Sequence, residues 1–395
     1  MKGALATATI DLEHLGFDRG AGLLLERALA GLPPGGRLAV VGRDPAVRVD
    51  LVPWCRSRGH RVEPPNVVVK GTAEADRWLG AARAGSPGPD GVVDRPDPAW
   101  GLAARGALVE AGAPPAGFDL DDGGVVWADI APRLYAQAVA NQWDPATAIA
   151  WNAADELPTE VEAAVVQVMT YLIENEQAAL VVPARFVGRV HPHFREVVQL
   201  LAVQVADEAR HVEVFARRAA LRGGPLGMST TGGRASLQTL LDEPDFSLAS
   251  FLLSVLGEGT FLNLLAFIEA CAPDTVTRQV AHLALQDEAR HVAFGLAHVE
   301  HRVAVDPGLL PLLRLAIERR HDALAATAGL NRDVFDALVV LAAGGWTPDA
   351  IAGGYERVQS LTADMDEGRR RRLVRLGFPA DEAAELSALH TRNFM

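Results

Sequence analysis

The sequence predicts a mainly α protein: a four-helix bundle with further helices after it and a small two-layer α/β sandwich before it. Three observations carry this. The pentapeptide Asp-Glu-Ala-Arg-His occurs twice, at 207–211 and 287–291, each time inside an apolar helical stretch. Each copy is preceded, about 30 residues earlier, by another apolar helical stretch with an in-phase Glu. The first 72 residues instead alternate short β and α signals.

Taken in order, residues 1–72 read as strand Ile10-Asp11-Leu12, a helix over 23–30, the turn Leu32-Pro33-Pro34-Gly35-Gly36, a strand over 38–41 and a second helix ending in Trp54-Cys55-Arg56. Residues 73–125 are rich in Gly, Pro, Ala and Asp, and Gly85-Ser86-Pro87-Gly88-Pro89 reads as a linker. The remainder, 126–395, is the helical domain, entered through Gln142-Trp143-Asp144-Pro145. Its first long helix is expected to start at the capping box Thr159-Glu160-Val161-Glu162 and to end near Pro183. A second follows Pro192 and stops at Arg222-Gly223-Gly224-Pro225. After a crossover rich in Gly, Ser and Thr, the third starts near Ser247 and ends before Pro273; Asp274 caps the fourth, which reaches Asp306-Pro307. Two helical hairpins joined by one long crossover is ferritin-like connectivity. More helices follow Pro307, and the basic run at 369–372 is expected on a solvated face.

A Glu and a His three apart on a helix share a side, so two facing Glu-x-x-His helices bring two carboxylates and two imidazoles to one buried point. The repeat supplies Glu208 with His211 and Glu288 with His291. Two more carboxylates should come from the partner helices. Glu258 is the candidate before the second copy. Before the first there are two, Glu174 and Glu176, and helical phase separates them. Glu176 falls in line with Met169, Leu172, Ile173 and Leu180, an apolar stripe; Glu174 shares its face with Gln167, Thr170 and Gln177, which reads as solvent. The expected ligands of a dimetal centre are therefore Glu176, Glu208, His211, Glu258, Glu288 and His291. Four buried carboxylates are untenable without counter-charge, and two divalent cations provide it. Asp207 and Asp287, four before each His, are placed to accept the second imidazole N–H, directly or across the bundle, and Arg210 and Arg290 to pair with those Asp residues.

Gly257-Glu258-Gly259-Thr260-Phe261-Leu262-Asn263 and the two Asp-Glu-x-Arg-His copies resemble the hydroxylase subunits of bacterial multicomponent diiron monooxygenases, and more broadly the ferritin-like diiron oxygenases and desaturases. The resemblance covers roughly 160–300. It implies two irons, or iron plus manganese, at the six ligands, with O2 as co-substrate, and it matches Gln204 to a polar residue beside the metals. It implies hydroxylation, N-oxidation or desaturation of a small organic substrate. Those hydroxylases carry a Thr where this chain has Leu262; the extra His of some N-oxygenating relatives is replaced by Ala284; and the radical Tyr of ribonucleotide reductase small subunits is replaced by Phe215. His282 and His298 are expected to be ordinary histidines. Leu172, Ile173, Leu180, Phe261, Leu262 and Leu265 are candidates to line a substrate pocket.

Residues 33–60 resemble TusA-type sulfur-carrier domains, but the family's acceptor Cys would fall near 16–22, where there is none. Cys55 lies in the second helix and reads as packing, so a degenerate docking or structural module is expected. A sulfur-relay or scaffold protein whose N-terminal domain carries the function is the competing reading.

Composition bounds the partners. A net charge of −13 over 395 residues, without a basic stripe, argues against nucleic acid. No apolar run is expected to span a membrane, and Asp11, Glu13 and Asp18 stand where a signal sequence would be apolar, so a cytoplasmic enzyme is expected. Two cysteines support neither a disulfide framework nor an iron–sulfur cluster, and there is no Gly-rich dinucleotide fingerprint. Electrons must then come from a separate reductase or ferredoxin. The chain is compatible with a homodimer.

Overall fold

The computed structural model describes residues 8–153, 156–325 and 332–390. The ends of the expected domains, 1–7 and 391–395, lie outside them. The chain divides into two units: Met1–Ala84 with Gly106–Pro115, and Gly85–Arg105 with Ala116–Met395.

Unit 1 runs β1 (Ala8–Asp11), α1 (Ala21–Ala30), β2 (Arg37–Val41), α2 (Ala46–Ser57), β3 (Arg61–Glu63) and β4 (Val67–Val69), then α3 (Ala73–Arg77) and the ribbon β5 (Ala82–Arg83) with β6 (Leu108–Val109). The main sheet has the order β1-β2-β4-β3. β1 and β2 are parallel, with Ala8 opposite Leu38, and α1 makes the crossover such a pair needs; β4 lies antiparallel between β2 and β3. Leu38 and Val40 alternate inward from β2, and Val47, Leu51 and Cys55, spaced four apart, form a stripe on α2, closing one small core with Leu25, Leu29 and Val68. Burial pushes the Cys55 thiol up to about 11.

Unit 2 contains α4 (Gly123–Val126), α5 (Ala131–Ala140), α6 (Thr159–Val187), α7 (Arg195–Ala219), α8 (Thr231–Leu241), α9 (Phe246–Ser250), a π-helix (Phe251–Glu258), α10 (Gly259–Cys271), α11 (Thr275–Val305), α12 (Leu309–Ala325), α13 (Arg332–Ala343), α14 (Pro348–Arg375) and α15 (Ala380–His390). Helix α6 packs along α7, the run α9–π–α10 packs along α11, and α7 meets α11. These are the two hairpins of a four-helix bundle, with α8 inside the crossover. The stretch 73–125, expected as a linker, is shared between the units, and its Arg105 is buried on the Glu196 carboxylate of α7.

Two apolar cores stack along the bundle. One gathers Val165, Val168, Leu172 and Ile173 of α6, Val214 and Phe215 of α7, Phe261 to Ile268 of α10, and Val280 and Ala284 of α11. The other gathers Ala179, Val182 and Phe186, then Val197 to Leu201, then Phe246 to Leu256, then Phe294 to Val299. On every helix the gap between the cores falls on an expected ligand. A polar layer is thus clamped between two dry ones.

Several details depart from expectation. Thr159 is inside α6, which follows Pro158 with no side-chain cap, so no capping box forms. Helix α6 also runs past Pro183 to Val187, because Val182 and Phe186, buried on either side of the proline, hold that turn in the core. The Asp274 cap does form, its Oδ1 accepting from the Thr277 amide at 2.7 Å. Phe246–Cys271 is long and apolar enough to cross a membrane, contrary to expectation, but 78% of its apolar window is buried as the third helix of the bundle. The 369–372 run is not wholly solvated: Arg369 is buried, because α14 packs between α10 and α15, and Arg370 and Arg371 alone face outward.

Candidate metal centre

Helical phase delivers all six expected ligands to the polar layer. Glu176 comes from α6, Glu208 and His211 from α7, Glu258 from the last π-helical position, and Glu288 and His291 from α11, every one buried. They form two groups, Glu176–Glu208–His211–Glu288 and Glu208–Glu258–Glu288–His291; in each, one donor atom per residue lies within 4.8 Å of the others. Glu208 and Glu288 belong to both groups. Two adjacent positions sharing two carboxylates, each with its own Glu and His, is the donor arrangement of a dimetal carboxylate site.

Both imidazoles turn Nδ1 inward. His211 Nδ1 lies 3.1 Å from Glu208 Oε2, 3.3 Å from Glu288 Oε1 and 3.6 Å from Glu176 Oε2. His291 Nδ1 lies 2.9 Å from Glu208 Oε1 and 3.5 Å from Glu288 Oε2. Among the described residues, Glu176 Oε1 and Glu258 Oε2 are buried and make no hydrogen bond, and the close approaches of Nδ1 to Glu208 Oε1 and to the two Glu288 oxygens lack hydrogen-bond geometry. Such atoms are costly unless a cation takes them, so the residues fit a metal pair. Hard carboxylates with imidazoles suit iron or manganese.

The electrostatics carry the same signature. Burial, then the charges of Glu208 and Glu288, raise Glu176 well above the carboxylate range, and burial with Glu288 does so for Glu258. Burial would lower His211 and His291, but the surrounding carboxylates outweigh it and raise both. Burial would raise Glu208, and the two imidazoles outweigh it and lower it. Without a cation the layer is neutralised by protons, which two divalent ions would displace.

The outer nitrogens are held by a crossed network. His211 Nε2 lies 3.2 Å from Asp287 Oδ2, and His291 Nε2 lies 3.3 Å from Asp207 Oδ2, each on the facing helix. Arg210 pairs with Asp207 and also reaches Asp287 at 3.2 Å; Arg290 pairs with Asp287 and reaches Asp207 at 3.5 Å. Burial alone would raise Asp287, yet His211, Arg290 and Trp143 hold it far below its ordinary value. Gln204 Nε2 donates to Glu258 Oε1 at 3.1 Å, as expected of a residue beside the metals.

Two participants were not foreseen. Trp143 Nε1 donates to Asp287 Oδ2 at 2.8 Å, while Gln142 Nε2 donates to Asp207 Oδ1 at 3.1 Å and Gln142 Oε1 accepts from Arg210 at 2.5 Å. Arg210 also lies over the Trp143 ring at 5.0 Å. No spacing from the repeat marks these residues; they arrive through the segment between α5 and α6. The π-helix was not foreseen either. Gly295 of α11 makes room for it, since a Cβ there would stand 2.3 Å from Ser254 Cβ.

Other expectations are corrected or located. Glu174 is outside the cluster and Gln177 on its face is exposed as expected, but Gln167 and Thr170 are buried, accepting at 2.8 Å from the Met228 and Gly227 amides of the crossover. A cavity of about 20 Å³ beside Glu176, Glu258 and Glu288 is walled by Asn175, Ala179, Leu237, Leu240, Leu253, Gly257 and Phe261. Of the expected lining residues only Phe261 takes part. Leu172, Ile173 and Leu265 pack in the adjacent core, Leu180 and Leu262 are partly exposed, and α8 supplies the wall instead. His282 is exposed on Glu269, and His298 is buried between Ser247 Oγ and the Trp127 carbonyl, both away from the ligands. Phe215 stands at 6.2 Å from the His211 ring.

No family model and no curated protein matches the chain. Among solved structures, an R2-like ligand-binding oxidase with aerobically reconstituted Mn/Fe cofactor aligns at 19% identity and a TM-score of 0.42, over 67% of this chain and 91% of that one. A mutant of an R2-like ligand-binding oxidase with anaerobically reconstituted Mn/Fe cofactor aligns at 18% identity and a TM-score of 0.46, over 62% and 92%.

Proposed function

We propose that the helical unit is a non-haem dimetal oxygenase that uses two irons, or iron plus manganese, and O2 to hydroxylate, N-oxidise or desaturate a small organic substrate. The observation that carries this is the pair of four-residue ligand groups sharing Glu208 and Glu288. When bound, the metal pair supplies the O2 site and the redox capacity.

The chain's own residues do the rest. Glu208 and Glu288, common to both ligand groups, would be shared by the two ions, with Glu176 and His211 completing one group and Glu258 and His291 the other. Asp207 and Asp287 hold the rings in the tautomer that turns Nδ1 inward. Leu237, Leu240, Leu253 and Phe261 keep bulk water from the carboxylates, leaving space for about one water-sized molecule. Phe215 offers no phenol beside His211. Electrons are proposed to come from a separate reductase or ferredoxin, since the sequence has no dinucleotide fingerprint. Unit 1 is proposed as a docking or structural module and not a sulfur carrier, because its one thiol is buried.

The test is metal analysis followed by single turnover. About two ions per chain and rapid O2 consumption by the chemically reduced protein are expected, with label from 18O2 in the product of a hydroxylation. Hundreds of irons per assembly, or a stable radical on Tyr135, Tyr171 or Tyr355 by electron paramagnetic resonance, would overturn the reading.

A further inference from the structure

The π-helix that ends in Glu258 is gripped from outside the four-helix bundle. Such winding is rare and mostly confined to a single turn, so eight residues of it need a cause. In an α-turn the Gly259 amide would donate four residues back, to the Val255 carbonyl. Here it reaches the carbonyls of Gly257, Leu256 and Ser254 and passes over Val255. The Val255 carbonyl accepts instead from Arg372 Nε of α14, at 2.7 Å. The next carbonyl also meets a side chain: Leu256 accepts from Thr260 Oγ1 at 2.7 Å, and that hydroxyl accepts from Arg369 Nη1 at 3.3 Å. Two arginines three apart on α14 therefore hold consecutive carbonyls of the π-helix, Arg372 directly and Arg369 through Thr260.

Two further facts set Arg372 apart. Its neighbours on α14, Arg370, Arg371 and Arg375, pair with Asp366, Glu367 and Glu300. Arg372 is mostly buried, its Nη2 makes no hydrogen bond, and among the described residues no carboxylate lies within 4.0 Å of its guanidinium. A cation so placed is costly, and an apolar side chain of similar volume would cost less. The other fact is Gly259. Its φ of −58° is ordinary for a helix, so the backbone does not call for glycine, and glycine inside a helix is less favourable than alanine. A Cβ there would stand 2.6 Å from both Nε and Cζ of Arg372. The glycine clears the path by which the guanidinium reaches Val255.

We propose that Arg372 is a positioning residue for Glu258: it takes the carbonyl that an α-turn would give to the Gly259 amide, and so holds the winding that brings the Glu258 carboxylate into its ligand group with His291. This rests on the dimetal reading of the site and adds a residue that is not itself a ligand. The effect belongs to one metal position of the two, because Glu258 occurs in only one of the ligand groups. Gly259 and Arg372 act as one device, the first by leaving space and the second by filling it with a donor.

The experiment titrates the full chain anaerobically with ferrous iron against a chelator and follows hydrogen exchange of the segment 251–259. Gln and Met are the informative replacements, since Gln carries an N–H donor at the chain position of the arginine Nε and Met carries a methyl there. Arg372→Met should weaken the second ferrous ion by about 10- to 100-fold, the range for outer partners of metal ligands, and speed exchange across 251–259; Arg372→Gln should keep the parent values of both. Gly259→Ala, which displaces the guanidinium, should behave like Arg372→Met, and the two together like either alone. Arg372→Met should add nothing in a Glu258→Ala background and should weaken the remaining ion in a Glu176→Ala background, a split that general loosening of the fold would not give. Unchanged ferrous affinity in Arg372→Met, Gln no better than Met, or a further loss in the Glu258→Ala background would overturn the inference. If Arg372→Met does not fold, unchanged affinity in Gly259→Ala overturns it instead. A parent that takes up no iron while exchange still separates Met from Gln would remove the oxygenase reading alone; two ions per chain with no difference between Met and Gln would remove this inference alone.

Discussion

His211 is oriented by Asp287, which stands on the facing helix, and not by Asp207 of its own pentapeptide. The reciprocal pair, His291 with Asp207, completes an exchange between the two hairpins. Neither hairpin can position its own imidazole, so the two metal positions form as one unit.

The shared carboxylates should be more damaging to lose than the terminal ones. Replacing Glu208 and Glu288 together by Ala is expected to abolish binding of both ions. Glu176→Ala or Glu258→Ala removes a ligand from one group only and should leave about one ion per chain. Plasma mass spectrometry after gel filtration decides it, and full retention in the double variant would exclude the assigned centre.

Trp143→Phe should weaken the centre without touching a ligand. The change strips Asp287 of the indole donor and leaves a buried acceptor underused, at a cost of about 1–3 kcal/mol. Metal affinity is expected to fall by about 10- to 100-fold, as for other outer partners of ligating imidazoles. Competition against a chelator of known affinity measures this, and an unchanged midpoint would make Trp143 a packing residue.

How much of this was legible in the sequence depends on whether the information was periodic. The six ligands and the paired Asp residues lie at fixed helical offsets, so phase alone brought them together, including the choice of Glu176 over Glu174. Trp143 and Gln142 reach the site through a non-repeating segment, whose path no offset encodes. The lining residues failed for a related reason: Leu237 and Leu240 belong to a crossover helix in a stretch that reads as Gly-, Ser- and Thr-rich. Thr159 satisfied the capping pattern, yet the proline before it set the backbone and the cap was not made.

His298 should make the protein acid-sensitive. Burial lowers its imidazole to about 3, against an ordinary value of 6.5, so between these limits the unfolded chain binds a proton that the folded one refuses. The stability this group contributes is present above pH 6.5 and lost as pH falls toward 3, at up to about 1.4 kcal/mol per pH unit. Urea titrations at pH 6 and pH 4 should show a steeper loss in the parent than in His298→Gln. Parallel losses would mean that His298 is protonated in the folded state.

Cys55 should be chemically silent. With its thiol pushed up to about 11, alkylation by iodoacetamide at pH 8 is expected to be roughly 100-fold slower than for a free cysteine and to recover on unfolding in urea. Mass spectrometry after incubation with a cysteine desulfurase and cysteine should find no persulfide on it. Loss of O2 uptake in a folded, metal-replete Cys55→Ser protein would show that unit 1 handles sulfur after all.

The π-helix bears on which changes this lineage can tolerate. An ordinary helix turns each residue by roughly 100° and a π-helix by less, so letting Phe251–Glu258 relax to α at unchanged length would swing Glu258 out of the polar layer while leaving every apolar residue type in place. Apolar substitutions there are absorbed by two adjoining cores; a change in winding is not. Relatives that keep the centre should therefore vary freely in composition across this stretch, and any that lose one residue from it should show an ordinary α-helix in its place.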